Sequence, residues 1–448
     1  MLSQSFTVDN FRRIFDYENR RGVYLEGRFF PEVEKVTQEI KACMADIRDL
    51  RKKRRTYLPQ HYQLRKAMLN EEKLKLKSKK EALLSKELEK ICAGIATGNL
   101  KVNLESVAIP GGKPAYAVQN TAKAYFITKQ VQSNLRRLYK VKQNSRYGII
   151  SQLKRILEDP FPKYVIRTDI ENFYESIPRD SLLRKIDQDA LLALPSRRVI
   201  RQILSDYQSL SQSSKGIPRG IGISAYLSEL FIRKFDETVR AHEELIFYSR
   251  FVDDIVAIFS PRPNSSVTQL LSFLQSQASA LGLNLSIAKT TEHDVRKPHN
   301  TSLEYLGYKI TFGNDPIQIG LTAKRITKYK NRIIKSFNAY HKRAKFDEQK
   351  ARRLLLKRVA FLTGNTRLLN NKANIMIGVF FENSLITRVE ELEEADKELN
   401  AQTNTIISAS LRNLLSEFSF KQGFSERRFK EFTPLELAEI VGLWSYEA

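Results

Sequence analysis

The sequence contains little cysteine or histidine, and it has no long apolar run. Its two cysteines, Cys43 and Cys92, cannot build a disulfide framework or a four-cysteine zinc site, and five histidines supply few other zinc ligands. No stretch of about 18 apolar residues is present, so a membrane-spanning helix is not expected. The N-terminal residues lack the apolar segment of a secretion signal. The chain is therefore expected to be cytoplasmic.

Basic residues are present in excess. The 448 residues hold 75 Lys and Arg against 50 Asp and Glu, a formal charge of +25, and 42% of them are hydrophobic. The length suits about three domains or one large enzyme with several lobes, and the hydrophobic fraction suffices for folded cores. The charge predicts a polyanionic partner, with nucleic acid as the first candidate and an acidic membrane surface as the second.

The first hundred residues predict a basic helical hairpin. Apolar residues recur at spacings of three and four within 33–50, and a second helical stretch over 61–91 follows Pro59. The run RDLRKKRR at 48–55 carries six basic residues and one acid, which we interpret as contacts to a nucleic-acid backbone; the alternative is a solvated helix end. The residues predicted to contact phosphates are Arg51, Lys52, Lys53 and Arg54.

Changes of composition predict four regions along the chain. From 160 to about 312, apolar strand-like runs alternate with helical patterns, which indicates a domain of mixed helices and strands. Beyond 320 the sequence is helical again, with fourteen Lys and Arg against two acids over 321–360. The predicted regions are a basic helical extension at 1–100, the mixed domain at 101–320, a basic helical lobe at 321–375 and a C-terminal helical region at 376–448.

Two strand-like runs carry acidic residues at their ends. The run in KYVIRTDIENFYESIP (163–178) reaches Asp169, and LIFYSRFVDDIVAIF (245–259) has Asp253 and Asp254 between two apolar stretches. An Asp pair at a hairpin tip can serve the turn alone. If the runs are neighbours in one sheet, however, their carboxylates come together and repel unless cations neutralise them. Two Mg²⁺ ions about 3.5–4 Å apart are the known solution for nucleotidyl transfer, which needs no His or Cys nucleophile.

Five segments in order resemble the sequence blocks of reverse transcriptases. They are RTDIENFYESI, GIPRGIGISAYLSELF (216–231), YSRFVDD (248–254), GLNLSIAKT (282–290) and LEYLGYKI (303–310). The resemblance implies an α+β, right-hand polymerase fold of fingers, palm and thumb with an antiparallel palm sheet, flanked by the N-terminal helical hairpin and a C-terminal helical domain. It also implies an RNA-directed DNA polymerase that adds dNTPs to a 3′-hydroxyl, with two Mg²⁺ ions as cofactors and Mn²⁺ as an alternative.

The resemblance assigns roles to individual residues. Catalytic and metal-binding roles are implied for Asp169, Asp253 and Asp254, and a further metal contact for Ile170. Nucleotide contacts are implied for Phe173, Tyr174, Arg146, Arg219, Gly220 and Lys289, and the primer grip is expected at Leu306 and Gly307. For Tyr174 the role is that of a sugar gate, and its alternative is an ordinary core aromatic. For Arg146 and Lys289 the alternative is a solvated loop residue.

Three residues depart from the pattern of the family. Arg219 stands where the family usually has glutamine, Ala225 where proline commonly follows serine, and Phe251 where tyrosine precedes the acidic pair. None of the three changes removes a metal ligand, so catalysis is still expected. Arg219 can reach a phosphate or stack on a base, which predicts altered base selection and template choice.

Two further segments resemble the bacterial antiviral reverse transcriptases, the defence-associated and abortive-infection enzymes. They are LTGNTRLLNNK (362–372) and QSFTVDNFRRIFDYENRRG (4–22), which is most similar to the smaller polymerase of a two-polymerase, type 3 defence system. This resemblance implies a non-coding RNA template, a DNA product, a second reverse transcriptase subunit and no membrane partner. The heptad-like seam at 33–50 also permits a higher-order oligomer.

Other functions share parts of this pattern. A viral-type RNA-dependent RNA polymerase has the same palm, but it usually has glycine at the position of Val252 and a polar group at that of Tyr174. An RNA-binding scaffold with an inactive palm would not need the intact carboxylates. An intron maturase would normally append a DNA-binding or endonuclease region, and no cysteine-rich or HNH-like segment follows residue 320.

Overall fold

The computed structural model describes residues 3–20, 23–96, 100–109, 112–141, 145–263, 265–295, 301–312, 316–368 and 375–444. These residues divide between two units, Met1–Lys142 with Asn172–Ile232, and Gln143–Glu171 with Arg233–Ala448. Two of the sequence motifs extend beyond the described residues. Positions 21–22 of the segment 4–22 and positions 369–372 of the segment 362–372 lie outside them.

The described residues form helices and strands in the following order. The helices are α1 (Val8–Arg20), α2 (Leu25–Phe29), α3 (Pro31–Lys52), α4 (Pro59–Ala96), α5 (Ala122–Leu138), α6 (Arg146–Glu158), α7 (Phe173–Ser176), α8 (Arg179–Asp189), α9 (Leu194–Ser211), α10 (Gly222–Arg240), α11 (Val267–Ala280), α12 (Ala323–Ala344), α13 (Glu348–Thr363), α14 (Glu390–Asn404), α15 (Ala409–Ser416), α16 (Phe420–Ser425) and α17 (Pro434–Val441). The strands are β1 (Leu104–Val107), β2 (Ala115–Val118), β3 (Tyr164–Asp169), β4 (Leu245–Phe251), β5 (Asp254–Phe259), β6 (Thr291–Asp294), β7 (Thr301–Tyr305), β8 (Tyr308–Phe312), β9 (Gln318–Leu321), β10 (Asn365–Leu368) and β11 (Ile375–Gly378).

The helical hairpin predicted from the sequence is present in the first unit as α3 and α4. Helix α3 begins with a proline at its first position, where the missing N–H costs nothing, and a 3-10 turn at Arg54–Thr56 follows its end. The apolar seam packs the two helices together, because Cys43, Ile47 and Leu50 of α3 share a small core with α4. A second core, around Phe11 and Phe126, joins the base of the hairpin to α1 and α5. The periodicity of the sequence thus predicted the contact between these helices.

The second unit contains a four-stranded antiparallel sheet in the order β4-β5-β3-β6. Strand β5 is buried along almost its whole length, as is typical of a central strand rich in Ile and Val. Helix α6 packs on β4, and α11 packs on β3. A separate three-stranded sheet has the order β7-β8-β9. The α+β class with antiparallel sheets, predicted from the sequence, is confirmed.

One core runs through the second unit from the sheets to the C-terminal helices. It joins Val165 and Val256 of the four-stranded sheet to Ile333 of α12 and to Trp444 after α17. The C-terminal region also contains an antiparallel hairpin of β10 and β11, which the sequence did not predict. Within the described ranges, no helix is both long and apolar enough to cross a lipid bilayer.

Candidate active site

Acidic residues meet at one end of the four-stranded sheet. Strand β3 ends at Asp169 and β5 begins at Asp254, and the two residues are direct partners in the antiparallel register. Asp253 lies in the two-residue turn between β4 and β5, and its carbonyl oxygen accepts a hydrogen bond of 3.0 Å from the Ile170 N–H. Directly opposed residues present their side chains on the same face of a sheet. The strand pairing inferred from the sequence therefore brings these carboxylates together.

The turn that carries Asp253 is strained, and a buried arginine holds it. Val252 has a φ of 62°, which a β-branched residue rarely adopts and which costs about 1–3 kcal/mol. Arg250 Nη1 donates to the Val252 carbonyl oxygen at 2.7 Å. Arg250 Nε and Nη2 donate to the two carboxylate oxygens of Asp236, on α10, at 2.9 and 2.8 Å. Because 4% of its side chain is exposed, Arg250 supports the turn from the interior.

Two basic side chains contact the carboxylates. Lys289 Nζ lies 2.8 Å from Asp169 Oδ1, and Arg167 Nε lies 3.0 Å from Asp254 Oδ1. Burial raises the pKa of Asp254 to about 6, Arg167 opposes the rise, and the charges of Asp169 and Asp253 add to it. A raised pKa means that the ionised form of this carboxyl is disfavoured without more positive charge. The cluster therefore favours the binding of cations.

The oxygen atoms in this cluster suit magnesium ions whose coordination shell is completed by a substrate. In the part of the chain that the structure describes, no three acidic, His or Cys side chains are grouped closely enough to hold an ion alone. Mg²⁺ usually binds through one or two carboxylates, retained waters and substrate phosphates. Asp169, Asp253 and Asp254 provide the carboxylates, and Ile170, whose side chain is buried, can offer only its backbone carbonyl. The residues fit the metal-binding mode that the sequence predicted.

The β7–β8 hairpin is connected to the carboxylates by a tyrosine. Its two-residue turn consists of Leu306 and Gly307, the predicted primer grip, between the register partners Tyr305 and Tyr308. The Tyr305 hydroxyl donates to the Asp254 carbonyl oxygen at 3.1 Å. A hydrogen bond therefore connects the hairpin of the predicted primer grip to β5, the strand that begins with Asp254.

Arg146, predicted as a nucleotide contact, lies beside this turn. It is the first residue of α6, and its guanidinium carbon is 4.9 Å from the centroid of the Tyr308 ring. Among the described residues it forms no hydrogen bond with a carboxylate. The structure thus groups Arg146 with the predicted primer grip.

Four of the predicted nucleotide contacts, Phe173, Tyr174, Arg219 and Gly220, lie in the first unit. Tyr174, in α7, is half-buried, and its carbonyl oxygen accepts a hydrogen bond from the Ile217 N–H at 2.8 Å. Arg219 has its guanidinium carbon 5.8 Å from the Tyr174 ring centroid and forms an ion pair of 3.0 Å with Glu175. Phe173 is 1% exposed as a whole residue, so the structure buries this predicted nucleotide contact in the core. Their roles in nucleotide binding stay predictions.

Gly220 occupies a position that requires glycine. Its φ is +101°, and a Cβ atom there would lie 2.7 Å from the Tyr116 carbonyl oxygen. The Tyr116 N–H donates to the Arg219 carbonyl oxygen at 2.7 Å, which fixes this loop against β2. The glycine therefore permits a close approach of two backbone segments within the first unit.

The four basic residues of the hairpin tip are exposed. Arg51 and Lys52 end α3, Lys53 follows it, and Arg54 begins the 3-10 turn. The Lys53 ammonium is 2.8 Å from the Asp49 carboxylate, one helical turn earlier. The remaining side chains are accessible to a phosphate backbone, which stays their predicted ligand.

Several residues of the site were not predicted from the sequence. Arg167 lies two residues before Asp169 and so shares its face of β3, which is a signal that could have been used. Arg250 interrupts an apolar strand three residues before Asp253, and a charged residue in such a run is a weaker signal. Asp236 lies on α10, and nothing in the sequence of that helix indicates that Asp236 pairs with Arg250.

Comparison with known proteins identifies the domain that holds the carboxylates. Residues 118–310 match the family described as reverse transcriptase (RNA-dependent DNA polymerase). These residues form a reverse transcriptase domain. The four-stranded sheet is the palm of this domain, and the enzyme class predicted from the five sequence blocks is confirmed for this part of the chain.

Solved structures of telomerase are similar to the chain at a low level. A truncated apo telomerase from Candida tropicalis has 13% identity and a TM-score of 0.34, over 49% of this chain and 55% of that one. A Candida albicans telomerase in complex with a TWJ fragment of telomeric RNA has 12% identity and a TM-score of 0.35, over 71% and 53%. Apo telomerase from Candida tropicalis has 11% identity and a TM-score of 0.37, over 77% and 60%. The chain therefore spans little more than half the length of these telomerases. No curated protein matches the sequence significantly.

Proposed function

We propose that the protein is an RNA-directed DNA polymerase that uses two Mg²⁺ ions. The observation that carries the proposal is the register of Asp169 with Asp254, beside the turn that holds Asp253, within a reverse transcriptase domain. The substrates are dNTPs and a primer 3′-hydroxyl on an RNA template. The net charge of +25 supports a nucleic-acid substrate.

The residues of the palm have distinct parts in this reaction. Asp169 and Asp253 would hold the ions, with Asp254 and the Ile170 carbonyl as further oxygen ligands. When bound, the ions lower the pKa of the attacking hydroxyl and stabilise the pyrophosphate that leaves. Arg167 contacts one carboxylate oxygen of Asp254. Asp254 therefore either offers its second carboxylate oxygen to an ion or only shapes the site.

Lys289 is suited to the leaving group. Its ammonium contacts Asp169, and 57% of its side chain is exposed. It can therefore exchange this partner for a phosphate oxygen without a large desolvation cost, and it can donate a proton to the pyrophosphate. The sequence at 282–290 supports the same role by its resemblance.

A primer-extension assay tests the polymerase proposal. The purified protein should extend a DNA primer on an RNA template with dNTPs and Mg²⁺, and EDTA should stop the reaction. The product should be sensitive to DNase and resistant to alkali. A product made only from rNTPs would favour the alternative RNA polymerase, and binding of RNA without extension would favour the scaffold.

The proposed biological role is antiphage defence with a non-coding RNA as template. This role is supported by the resemblance of the segments at 4–22 and 362–372 to the bacterial antiviral reverse transcriptases. The proposed role also includes a second reverse transcriptase subunit and a higher-order assembly. Sequencing the RNA and DNA that co-purify from the host would identify the template and the product. Phage protection that survives Asp253→Asn would contradict this role without touching the polymerase proposal.

The buried pair Arg250–Asp236 is expected to control the rate of the reaction. Arg250→Gln combined with Asp236→Asn removes both charges, so no unpaired buried charge remains. The Val252–Asp253 turn loses its support, and a shift of about 1 Å in a catalytic group costs up to about a hundredfold in rate. We expect kcat to fall by about tenfold to a hundredfold and KM for dNTP to change little.

The control for this prediction is the exposed pair of Arg262 and Glu243, which has 54% and 79% of its side chains exposed. The double replacement of that pair by Gln should leave kcat unchanged. Thermal unfolding of each variant separates a loss of fold from a loss of rate. A normal kcat in the Arg250 and Asp236 variant would show that the Val252–Asp253 turn keeps its geometry without the Arg250–Asp236 pair.

The salt dependence of template-primer binding should show whether the basic residues of the hairpin tip contact phosphates. About six phosphate contacts give a slope of roughly −4 to −5 for log K against log salt. Alanine at Arg51, Lys52, Lys53 and Arg54 should make the slope shallower by about 3, with fluorescence anisotropy as the measurement. The control removes four charges from the C-terminal region: Lys397, Arg412, Lys421 and Lys430. Equal slopes in the tip variant and the wild type would show that the tip is a solvated helix end.

A further inference from the structure

A pocket lies in the first unit, between α1, α5 and α10. Its volume is about 230 Å³, far more than the ~10–15 Å³ that one water requires. Side chains from residues 10–18 of α1 and 129–137 of α5 form most of the lining, and Tyr226 of α10 completes it. All of these residues belong to the first unit. The pocket therefore shares no carboxylate with the candidate active site.

One wall of the pocket is fixed by a buried ion pair. Glu18, of whose side chain 6% is exposed, accepts hydrogen bonds from Lys129 Nζ at 3.0 Å and from the Tyr125 hydroxyl at 3.1 Å. The rings of Phe11 and Phe126, with centroids 5.3 Å apart, also hold α1 against α5. The charge of Lys129 is therefore neutralised within the protein, and the walls that α1 and α5 supply are preformed.

Three arginines of the lining have no acidic partner. Arg13 lies on α1, and Arg136 and Arg137 lie in the last turn of α5. Across the described residues, no carboxylate forms a salt bridge with any of the three, and Glu18, the acid of the lining, is already paired. All three arginines are exposed. The lining therefore places three uncompensated positive charges around one cavity, which favours an anionic ligand.

Two aromatic rings and an amide line the same pocket. Tyr17 is 42% exposed, and its hydroxyl accepts a hydrogen bond of 3.2 Å from Arg136 Nη1. Tyr226 is half-buried, and neither its hydroxyl nor the Gln132 amide forms a hydrogen bond with another described residue. Aromatic rings stack on nucleobases, and an amide can donate to and accept from the edge of a base. A simple anion would use none of these groups, whereas a nucleotide would use all of them.

The concentration of positive charge favours a polyphosphate over a nucleic-acid strand. Consecutive phosphates of a strand are separated by a sugar, whereas those of a nucleoside triphosphate share bridging oxygens. The pocket gathers guanidinium groups from two helices around a single cavity. Each guanidinium binds phosphate oxygens through paired N–H donors. Three such groups at one cavity therefore match the dense charge of a triphosphate better than the spaced charges of a strand.

We propose that this pocket binds a free nucleoside triphosphate. The phosphates lie on the three arginines, and the base stacks on Tyr17 or Tyr226. The pocket uses no metal ligand of the palm, so the proposal does not depend on the proposed polymerase function. An unpaired nucleotide of an RNA strand offers part of the same chemistry, and binding measurements separate the two sources.

The first experiment measures nucleotide binding without catalysis. Radiolabelled ATP is equilibrated with the protein in EDTA, so that no metal ion recruits the nucleotide to the palm. The variant Arg13→Gln/Arg136→Gln/Arg137→Gln should bind ATP at least about tenfold more weakly than the wild type, because it loses three charge-assisted contacts. All three positions are exposed, so the variant should fold, and thermal unfolding checks this. Unchanged binding in a folded variant would overturn the proposal.

The matched control removes the same charge elsewhere in the first unit. Arg65→Gln/Lys77→Gln/Lys86→Gln changes three exposed positions of α4. Its affinity for ATP should equal that of the wild type. Equal losses in the two triple variants would overturn the site, because the effect would then be one of overall charge.

A ligand series separates the contribution of the phosphates from that of the base. With the wild type, affinity should rise from adenosine through AMP and ADP to ATP, and with the triple arginine variant it should stay at the level of adenosine. Inorganic tripolyphosphate should compete more weakly than ATP. Tyr17→Ala should weaken the binding of ATP and not that of tripolyphosphate, whereas Tyr17→Phe retains the ring and should bind ATP nearly as the wild type does. Equal competition by tripolyphosphate and ATP would reveal a plain anion site and overturn the assignment to a nucleotide.

Photolabelling with 8-azido-ATP in EDTA locates the bound base. The label should attach to peptides of α1, α5 or α10, and the triple arginine variant should lose it. Label confined to the palm peptides 163–178 and 245–259 would place the nucleotide at the acidic cluster and overturn the pocket. A short unstructured RNA that binds through the three arginines, where ATP does not, would assign the pocket to a strand and overturn the proposal as well.

The outcomes separate this pocket from the polymerase proposal. A protein that binds ATP through the three arginines but never extends a primer would refute the polymerase proposal alone. A protein that extends primers, yet binds no ATP in EDTA, would refute the nucleotide pocket alone.

Discussion

Asp253→Asn is expected to abolish Mg²⁺-dependent incorporation of dNTPs while the protein remains folded. An amide has nearly the shape of a carboxylate, but it carries no negative charge and holds a divalent cation poorly. Loss of about 4 kcal/mol of transition-state stabilisation lowers the rate by roughly a thousandfold, and loss of an ion that activates the hydroxyl costs at least this much. The measurement is the initial rate of primer extension at several Mg²⁺ concentrations.

The fold should survive this change because the change leaves the backbone of Asp253 and its hydrogen bond intact. Its carbonyl oxygen accepts the hydrogen bond from Ile170, and asparagine retains that group. The charge of Asp253 also raises the pKa of Asp254, so its removal reduces the repulsion between carboxylates. The melting temperature should therefore be unchanged or slightly higher.

The matched control is Glu292→Gln, on β6 of the same sheet. Glu292 is exposed and pairs in register with Ile166, three residues before Asp169. Its replacement removes one negative charge from the palm without touching the acidic cluster, and the extension rate should stay the same. A wild-type rate in Asp253→Asn would show that the acidic cluster is not the catalytic site.

The sequence predicted the acidic cluster because its parts are local. An apolar run that ends in Asp169 and a hairpin that carries Asp253 are both visible within a few residues, and one assumption about strand pairing joins them. The same holds for the helical hairpin, whose seam follows the period of a helix. Short-range patterns therefore fixed the strands, the turn and the acidic residues that they present.

The supporting residues could not be predicted in this way because their partners are distant in the chain or belong to other elements. Asp236 meets Arg250 only after α10 has packed against the sheet, and nothing in either segment specifies that geometry. Arg146 and Arg325 are 179 positions apart in the numbering, yet the guanidinium groups of both border Gly307, in a turn that belongs to neither α6 nor α12. Phe173 matched a motif, yet the structure buries its side chain. Tertiary packing decides these contacts, and a single sequence carries little record of it.

Tyr174→Ala is expected to weaken the discrimination between dNTPs and rNTPs. By its position after Asp169, the Tyr174 ring should occupy the space that a 2′-hydroxyl would need beside the incoming sugar. Packed sites relax only partly, so overlap of this kind costs roughly 3–4 kcal/mol, which corresponds to a discrimination of several hundredfold. Alanine removes the overlap and also the stacking surface. The ratio of kcat/KM for dNTP and rNTP should therefore fall by about two orders of magnitude, while dNTP binding weakens.

The variant Tyr174→Phe is the control that isolates the ring from the hydroxyl. Phenylalanine keeps the ring and its contact with the Arg219 guanidinium, so it should retain nearly all of the discrimination. Both variants keep the backbone carbonyl that Ile217 holds, so the local helix should persist. All ratios are measured on one template with one metal ion, because each of these affects selectivity by itself. A wild type that prefers rNTPs would identify an RNA polymerase, and a ratio that Tyr174→Ala leaves unchanged would show that this ring belongs to the protein core and not to the sugar site.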